Sequence, residues 1–412
     1  MALGLMSVSL LTYFYGLEDF GRYAFGTSIF FLLNSIVAFG WQPVVNKHAA
    51  QNRVNKNNFF KIILFQLLIF CVAIFIFNFY GHLLNDFELI FFFVLASVYG
   101  IVHTSKGILE GKYDLIPVLK IEMYVSCVVI ILRFVIAKIG FGIEVQAQLY
   151  CIERFLNVFI FIYFAYVSLG NKLDLEGDQN SLTEMLREAF LLAPSSMLDS
   201  LGGRIEILLI GNQNPLLVGG LAIVLRLVEI IAFLFLQVLK VVKPKIFKLK
   251  QKSMSALNEL MANLTRIVLF CCVLFSILAC VVINIWGAEV LTILNASQFI
   301  QSYFIVMIWI VPIIVLNHIY TIYMQALDME KRILARSFLN VTITLILTNI
   351  VVQYEVWYLI PWVILFNRLV APVSMYILDR DVRHLSKFTL SVVAKNSFKE
   401  SFQNVKIIFN SI

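Results

Sequence analysis

Residues 62–80 read IILFQLLIFCVAIFIFNFY, an uncharged run whose only amide side chains are Gln66 and Asn78. A helix of about 20 apolar residues is what crosses the hydrocarbon of a bilayer. Leu264–Ile285, with one charge at Arg266, and Ser302–Thr321 are apolar runs of similar length. Across the chain, 61% of residues are hydrophobic and only 14% charged, with a mean hydropathy of +0.89. Soluble domains carry roughly 25% charged residues. No water-facing surface can be built from this composition, so the solvent is lipid. The runs lack the period-two alternation of a membrane β-barrel, which leaves an all-α integral membrane protein.

Twelve spans are predicted, near 1–15, 23–45, 62–80, 89–104, 116–137, 145–168, 189–210, 218–239, 264–284, 302–325, 333–352 and 356–378. The loops alternate in charge. One set carries Lys47, Arg53, Lys56 and Lys61, then Lys106 and Lys112, then Lys172 and Arg187. It continues with the basic loop Lys240–Lys252, Lys331, Arg332, Arg336 and the tail. The other set holds only Arg22 and Lys138. By the positive-inside rule the rich set and both termini are cytoplasmic. Met1–Tyr15 lacks the basic start and small-residue cleavage site of a signal peptide. At roughly 22 Å if helical it is short for a span, so either a first helix with a truncated start or a true start upstream is expected.

The chain reads as a duplication. An acidic linker at 170–188 separates an N-terminal six-helix bundle, 1–169, from a C-terminal one, 189–378, and a basic cytoplasmic tail follows over 379–412. Gly21 and Gly219 open the second span of each half, and Lys47 and Lys245 follow them at equal offsets. Leu109-Glu-Gly-Lys-Tyr and Leu327-Asp-Met-Glu-Lys end the fourth span of each half. Even helix counts give the repeats one orientation, related by an axis along the membrane normal, with a substrate path between them.

Nine charges inside predicted spans stand out: Arg133, Glu153, Arg154, Asp199, Arg204, Glu206, Arg226, Glu229 and Arg368. Facing lipid unpaired, they would cost on the order of 20 kcal/mol together, more than a typical fold's stability. They must face one another or water. Arg226 and Glu229 share a helix face. So do Asp199 and Glu206, while Arg204 projects elsewhere and Gly202-Gly203 loosens the helix before it. The five arginines (Arg133, Arg154, Arg204, Arg226 and Arg368) are candidates for holding a phosphate, since guanidinium offers a planar fork of donors. The alternative is that Arg204–Glu206 and Arg226–Glu229 are packing salt bridges. Asp199, Glu206 and Glu229 are candidates for coupling transport to an ion. Trp41, Trp286, Trp357 and Trp362 lie near span ends, where interfacial anchoring is the default. The six cysteines show no metal-ligand spacing, and no metal or cofactor is expected. Lys240–Lys252 is expected to meet anionic lipid headgroups rather than nucleic acid.

Four stretches resemble the polysaccharide repeat-unit (O-antigen, Wzx-like) flippases of the multidrug/oligosaccharidyl-lipid/polysaccharide exporter superfamily. GLEDFGRYAFGTSIFFLLNSIVAFGWQPVVNKHAA (16–50) is similar to the family's opening segment. MLREAFLLAPSSMLDSLGGRIEILLIG (185–211) resembles the start of its second half. LAIVLRLVEIIAFL (221–234) and LDMEKRILARSFLNVTI (327–343) resemble its next helix and its turn between spans ten and eleven. The resemblance implies two six-helix bundles forming a V in the bacterial inner membrane. It also implies a substrate, an undecaprenyl-pyrophosphate-linked oligosaccharide, moved without covalent chemistry for O-antigen, capsule or exopolysaccharide synthesis. Its partners would be membrane lipid and the polymerase and chain-length regulator of that pathway. Two rivals stand beside it. One is a cation-coupled multidrug exporter of the same superfamily. The other is a membrane polymerase, for which the short outer loops, with Glu18-Asp19, Asp86 and Glu88 as isolated acids, leave little room.

Overall fold

A computed structural model describes residues 2–50, 53–81, 84–112, 114–170, 179–211, 213–293, 298–327, 329–380, 382–383 and 385–386. Its helices are α1 (Ala2–Ala38), α2 (Trp41–Ala50), α3 (Lys56–Tyr80), α4 (Phe87–Ala96), α5 (Gly100–Gly111), α6 (Leu115–Ile139), α7 (Ile143–Ser168) and α8 (Gln179–Gly202). They continue as α9 (Ile205–Ile210), α10 (Pro215–Lys252), α11 (Met254–Ile293), α12 (Gln298–Met307), α13 (Ile310–Ala326), α14 (Glu330–Gln353) and α15 (Ile360–Leu378). No strand occurs among the described residues. Nine helical stretches there are long and apolar enough to cross a membrane unaided. The two arms of α1, the second continued by α2, and the broken pair α8–α9 complete the twelve passes the sequence predicts.

The two arms of α1 follow from one hydrogen-bonding group. Arg133 Nη1 donates both to Ser7 Oγ (2.9 Å) and to Tyr23 Oη (3.1 Å). In an unbroken helix those residues would stand roughly 24 Å apart, beyond what a serine and a tyrosine side chain can bridge. The chain therefore turns back between them, at Gly16, whose φ of 79° and ψ of 179° are open in practice only to glycine. Nothing lies within 4 Å of where a Cβ would be, so any cost of substitution there is conformational. Gly16→Ala is expected to destabilise the protein by about 1–3 kcal/mol, seen as a lower thermal midpoint in detergent. An unchanged midpoint would contradict the turn.

Polar residues in the apolar runs have local reasons. The second arm bends at Phe39 and Gly40, both with positive φ, and the bend frees backbone carbonyls. Gln66, in the middle of the run that announces the fold, answers them: its amide donates to Val37 O (3.0 Å) and Gly100 O (3.4 Å), and Thr104 Oγ1 donates to its oxygen (2.9 Å). The same bend turns Trp41 inward to 1% exposure, correcting its expected place at the interface, whereas Trp362 is exposed as anchoring requires. At the start of this arm, Arg22 pairs with Asp19 (3.1 Å) and, through Nε, with Asp86 (2.7 Å). Asp86 is therefore a latch rather than an isolated acid.

The described residues form two compact units, Met1–Gly220 and Leu221–Ile412. In the first, α8 packs on α1 and α2: Lys47 pairs with Glu188 (2.8 Å), and Gly40 lies so close that a Cβ would meet Ala193 N at 2.9 Å. In the second, α10 runs unbroken through Lys252. The basic stretch Lys240–Lys252, expected as a loop, is thus a helical extension. Val242 and Ile246, one turn apart, are buried on one side of it. Arg332 pairs with the buried Asp379 at the start of the tail, and Tyr320 and Ser386 hydroxyls are 2.8 Å apart. Lys172 of the linker, and the tail from residue 387 onward, lie outside the described residues.

A candidate anion site in the first unit

Four elements of the first unit bring charge together inside an apolar bundle: the second arm of α1, α5, α6 and α7. Arg133 of α6 is only 4% exposed and faces Glu153 of α7 at 3.9 Å. Ser126 Oγ donates to the same carboxylate (3.2 Å). Gln146 Nε2 donates to Arg133 O (3.1 Å) and to Tyr15 Oη (2.9 Å). Arg133 is thus fully engaged, tying both arms of α1 to α6 and α7.

Arg154, one position beyond Glu153, is placed differently. Its guanidinium carbon lies 4.5 Å from the centre of the Tyr150 ring, 4.8 Å from Tyr99 and 5.7 Å from Phe30. Such ring faces attract a cation by about 0.5–2 kcal/mol each. Its Nε is buried with no hydrogen-bond partner. Asn157, one turn further along α7, is fully buried with neither side-chain atom partnered. Buried polar groups in this condition cost about 1–3 kcal/mol each and call for an explanation.

Two members of the cluster are absent from the intramembrane charges picked out by sequence. Lys106, read there as a loop charge, lies on α5 and pairs with Glu122 of α6 at 3.4 Å. Tyr99 Oη donates to Glu122 (2.8 Å), and Lys106 Nζ lies 4.8 Å from the centre of the Phe161 ring. The described cluster holds three cations, Lys106, Arg133 and Arg154, against two carboxylates, Glu122 and Glu153.

The remaining candidates divide. Gly202 ends α8, and Arg204 occupies the N-cap position of α9, so the loosening expected at Gly202-Gly203 is a full break. Its guanidinium carbon lies 4.8 Å from the centre of the Phe31 ring, next to the Phe30 that carries Arg154. The shared face expected of Asp199 and Glu206 spans this interruption. Asp199 is exposed, while Glu206 is 1% exposed with Oε1 unpartnered. In the second unit Arg226 pairs with Glu229 at 3.2 Å within one helix, as their spacing predicts. Arg368 is half-buried on α15.

No family model matches the chain, and no curated protein is similar to it in sequence at a significant level. Solved structures are similar to it in fold. An inward-facing multidrug resistance MATE transporter of the MOP superfamily superposes with a TM-score of 0.62 at 14% identity, covering 93% of this chain and 96% of that one. The MATE multidrug transporter DinF-BH, solved as a complex, gives 0.61 at 14% identity, covering 92% of each chain. A MOP superfamily transporter from Pyrococcus furiosus, described as having a binding pocket of reverse polarity, gives 0.58 at 12%, covering 93% and 95%. The protein is a multi-pass membrane protein with the twelve-helix fold of the MATE transporters.

Proposed function

We propose that the protein is a flippase that moves an undecaprenyl-pyrophosphate-linked oligosaccharide across the bacterial inner membrane by alternating access. The observation that carries this reading is Arg154. It is a guanidinium caged by aromatic rings in an apolar bundle, with a buried donor left over and a net positive neighbourhood. Phosphate oxygens match that fork, and tyrosine rings beside it suit a sugar's apolar faces. The pyrophosphate–sugar head enters from the cytoplasmic side while the lipid tail stays in the bilayer. The two six-helix halves, joined through 170–188 and followed by the tail from 379, alternate access around the head.

An exporter of organic cations has the same fold. Its site would favour carboxylates over guanidinium, and the description of the Pyrococcus furiosus protein supports pocket polarity as a variable on this scaffold. Asp199, Glu206 and Glu229 are the groups that would couple export to an ion, and Arg204, Arg226 and Arg368 extend the basic path. Deleting the gene in its host decides between the readings. Complete lipid-linked units trapped on the cytoplasmic face, with no surface glycan, is the expected result. Unpolymerised units on the outer face would indicate a polymerase, and an unchanged glycan would indicate the drug exporter.

A further inference from the structure

Asn157 of α7 is fully buried, and neither its amide nitrogen nor its carbonyl oxygen has a hydrogen-bond partner. It lies three positions after Arg154 and four before Phe161, so the three share one face of the helix. Both neighbours meet the segment that runs from Tyr99 into α5. The Arg154 guanidinium carbon lies 4.8 Å from the centre of the Tyr99 ring, and Lys106 Nζ lies 4.8 Å from the centre of the Phe161 ring. Lys106 also reaches Tyr99, with Nζ 3.2 Å from its hydroxyl. Along α7, the unpartnered amide therefore stands between two cation–ring contacts. Leucine has nearly the same volume as asparagine and would leave no polar atom unsatisfied at this position. The amide is costly to the empty protein and needs a use elsewhere.

We propose that Asn157 reads the first sugar of the cargo, at the carbon next to the one that bears the phosphate. The proposal rests on the flippase reading above and adds a requirement to it. With the phosphate on Arg154, the polar group of the sugar nearest to it is the substituent on C2. One helical turn, about 5–6 Å between Cβ atoms, separates Arg154 from Asn157. A carboxamide presents an acceptor oxygen beside a donor nitrogen. Both are satisfied by a group that donates and accepts at once. A hydroxyl does so through one oxygen, and an acetamido group through its N–H and C=O. A methylene does neither and leaves both atoms of Asn157 orphaned in the complex. A site built to hydrogen-bond a polar group rejects the analogue that lacks it for this reason. Arg154 thus selects for the anion, and Asn157 for the sugar beside it.

The test measures binding to the full chain in detergent by calorimetry. Its probes are farnesyl pyrophosphate and the conjugates of farnesyl pyrophosphate with glucose, N-acetylglucosamine and 2-deoxyglucose. The unsubstituted chain should bind the glucose or the N-acetylglucosamine conjugate about tenfold or more tightly than the 2-deoxyglucose one. Whichever of the two binds tighter identifies the group that Asn157 meets. Asn157→Leu should lose this discrimination, and its thermal midpoint without ligand should rise. Asn157→Ala tests the discrimination as well if the leucine variant does not fold. Equal binding of all three conjugates by the unsubstituted chain overturns the proposal, and so does discrimination that survives both substitutions. In those cases farnesyl pyrophosphate that binds the unsubstituted chain but not Arg154→Ala still supports the flippase reading. Binding of none of the probes overturns that reading and the proposal with it.

Discussion

Arg154→Ala is expected to leave a protein that accumulates normally and exports nothing. The guanidinium rests on the faces of Phe30, Tyr99 and Tyr150, contacts that stabilise it without making it a structural tie. Removing it relieves an unsatisfied Nε as well as losing ring contacts, so the two effects on stability oppose each other. Binding has no such offset. One charge-assisted hydrogen bond to an anion is worth about 1.5–3 kcal/mol, which is roughly ten- to hundredfold in affinity, and a forked contact makes two. Arg154→Lys keeps the charge but not the planar fork and should recover little. Surface glycan against protein level in the deletion host measures this. Normal glycan from Arg154→Ala would remove Arg154 from the cargo path.

Arg133→Ala should fail in the opposite way, by loss of the protein itself. Arg133 is buried, faces Glu153, and donates to Ser7 and Tyr23 from the two arms of α1. Deleting one partner of a buried ion pair costs about 3–5 kcal/mol, a large share of a typical stability of about 5–15 kcal/mol. Arg133→Met combined with Glu153→Gln removes the stranded charge and should recover part of the protein level. Immunoblots of membranes with and without protease inhibition read the outcome. An Arg133→Ala chain present at normal level but inactive would move Arg133 from the scaffold to the cargo site. The two arginines looked equivalent as sequence, each a cation inside a predicted span. Only their partners on other helices separate them.

That difference marks what was legible beforehand. The passes were legible because hydropathy is a local sum. The break at Gly202-Gly203 was legible because two glycines weaken any helix, and Arg226–Glu229 because three positions along a helix form one face. Lys106 and Glu122 were not found as a pair. A lysine near the end of an apolar run resembles a loop charge until the helix carrying its carboxylate is placed beside it. Trp41 misled for a related reason: its position in sequence is interfacial, and only the Phe39–Gly40 bend turns it inward. The 240–252 stretch read as a loop because of its run of lysines, yet Val242 and Ile246 among them keep a helical spacing that the charge obscured.

The placement of Arg133 on α6 and Glu153 on α7 bears on how the chain is made. These helices are consecutive and joined by a tight turn at Gly140, where Phe141 N closes back onto Ile136 O. Singly, each would carry a charge into lipid at about 2.5–3.5 kcal/mol. Paired, Arg133 and Glu153 offset each other. Insertion of α6 and α7 together, as one hairpin, therefore costs less than insertion of either alone. The loss of protein expected of Arg133→Ala then begins during synthesis, before there is a folded bundle to destabilise.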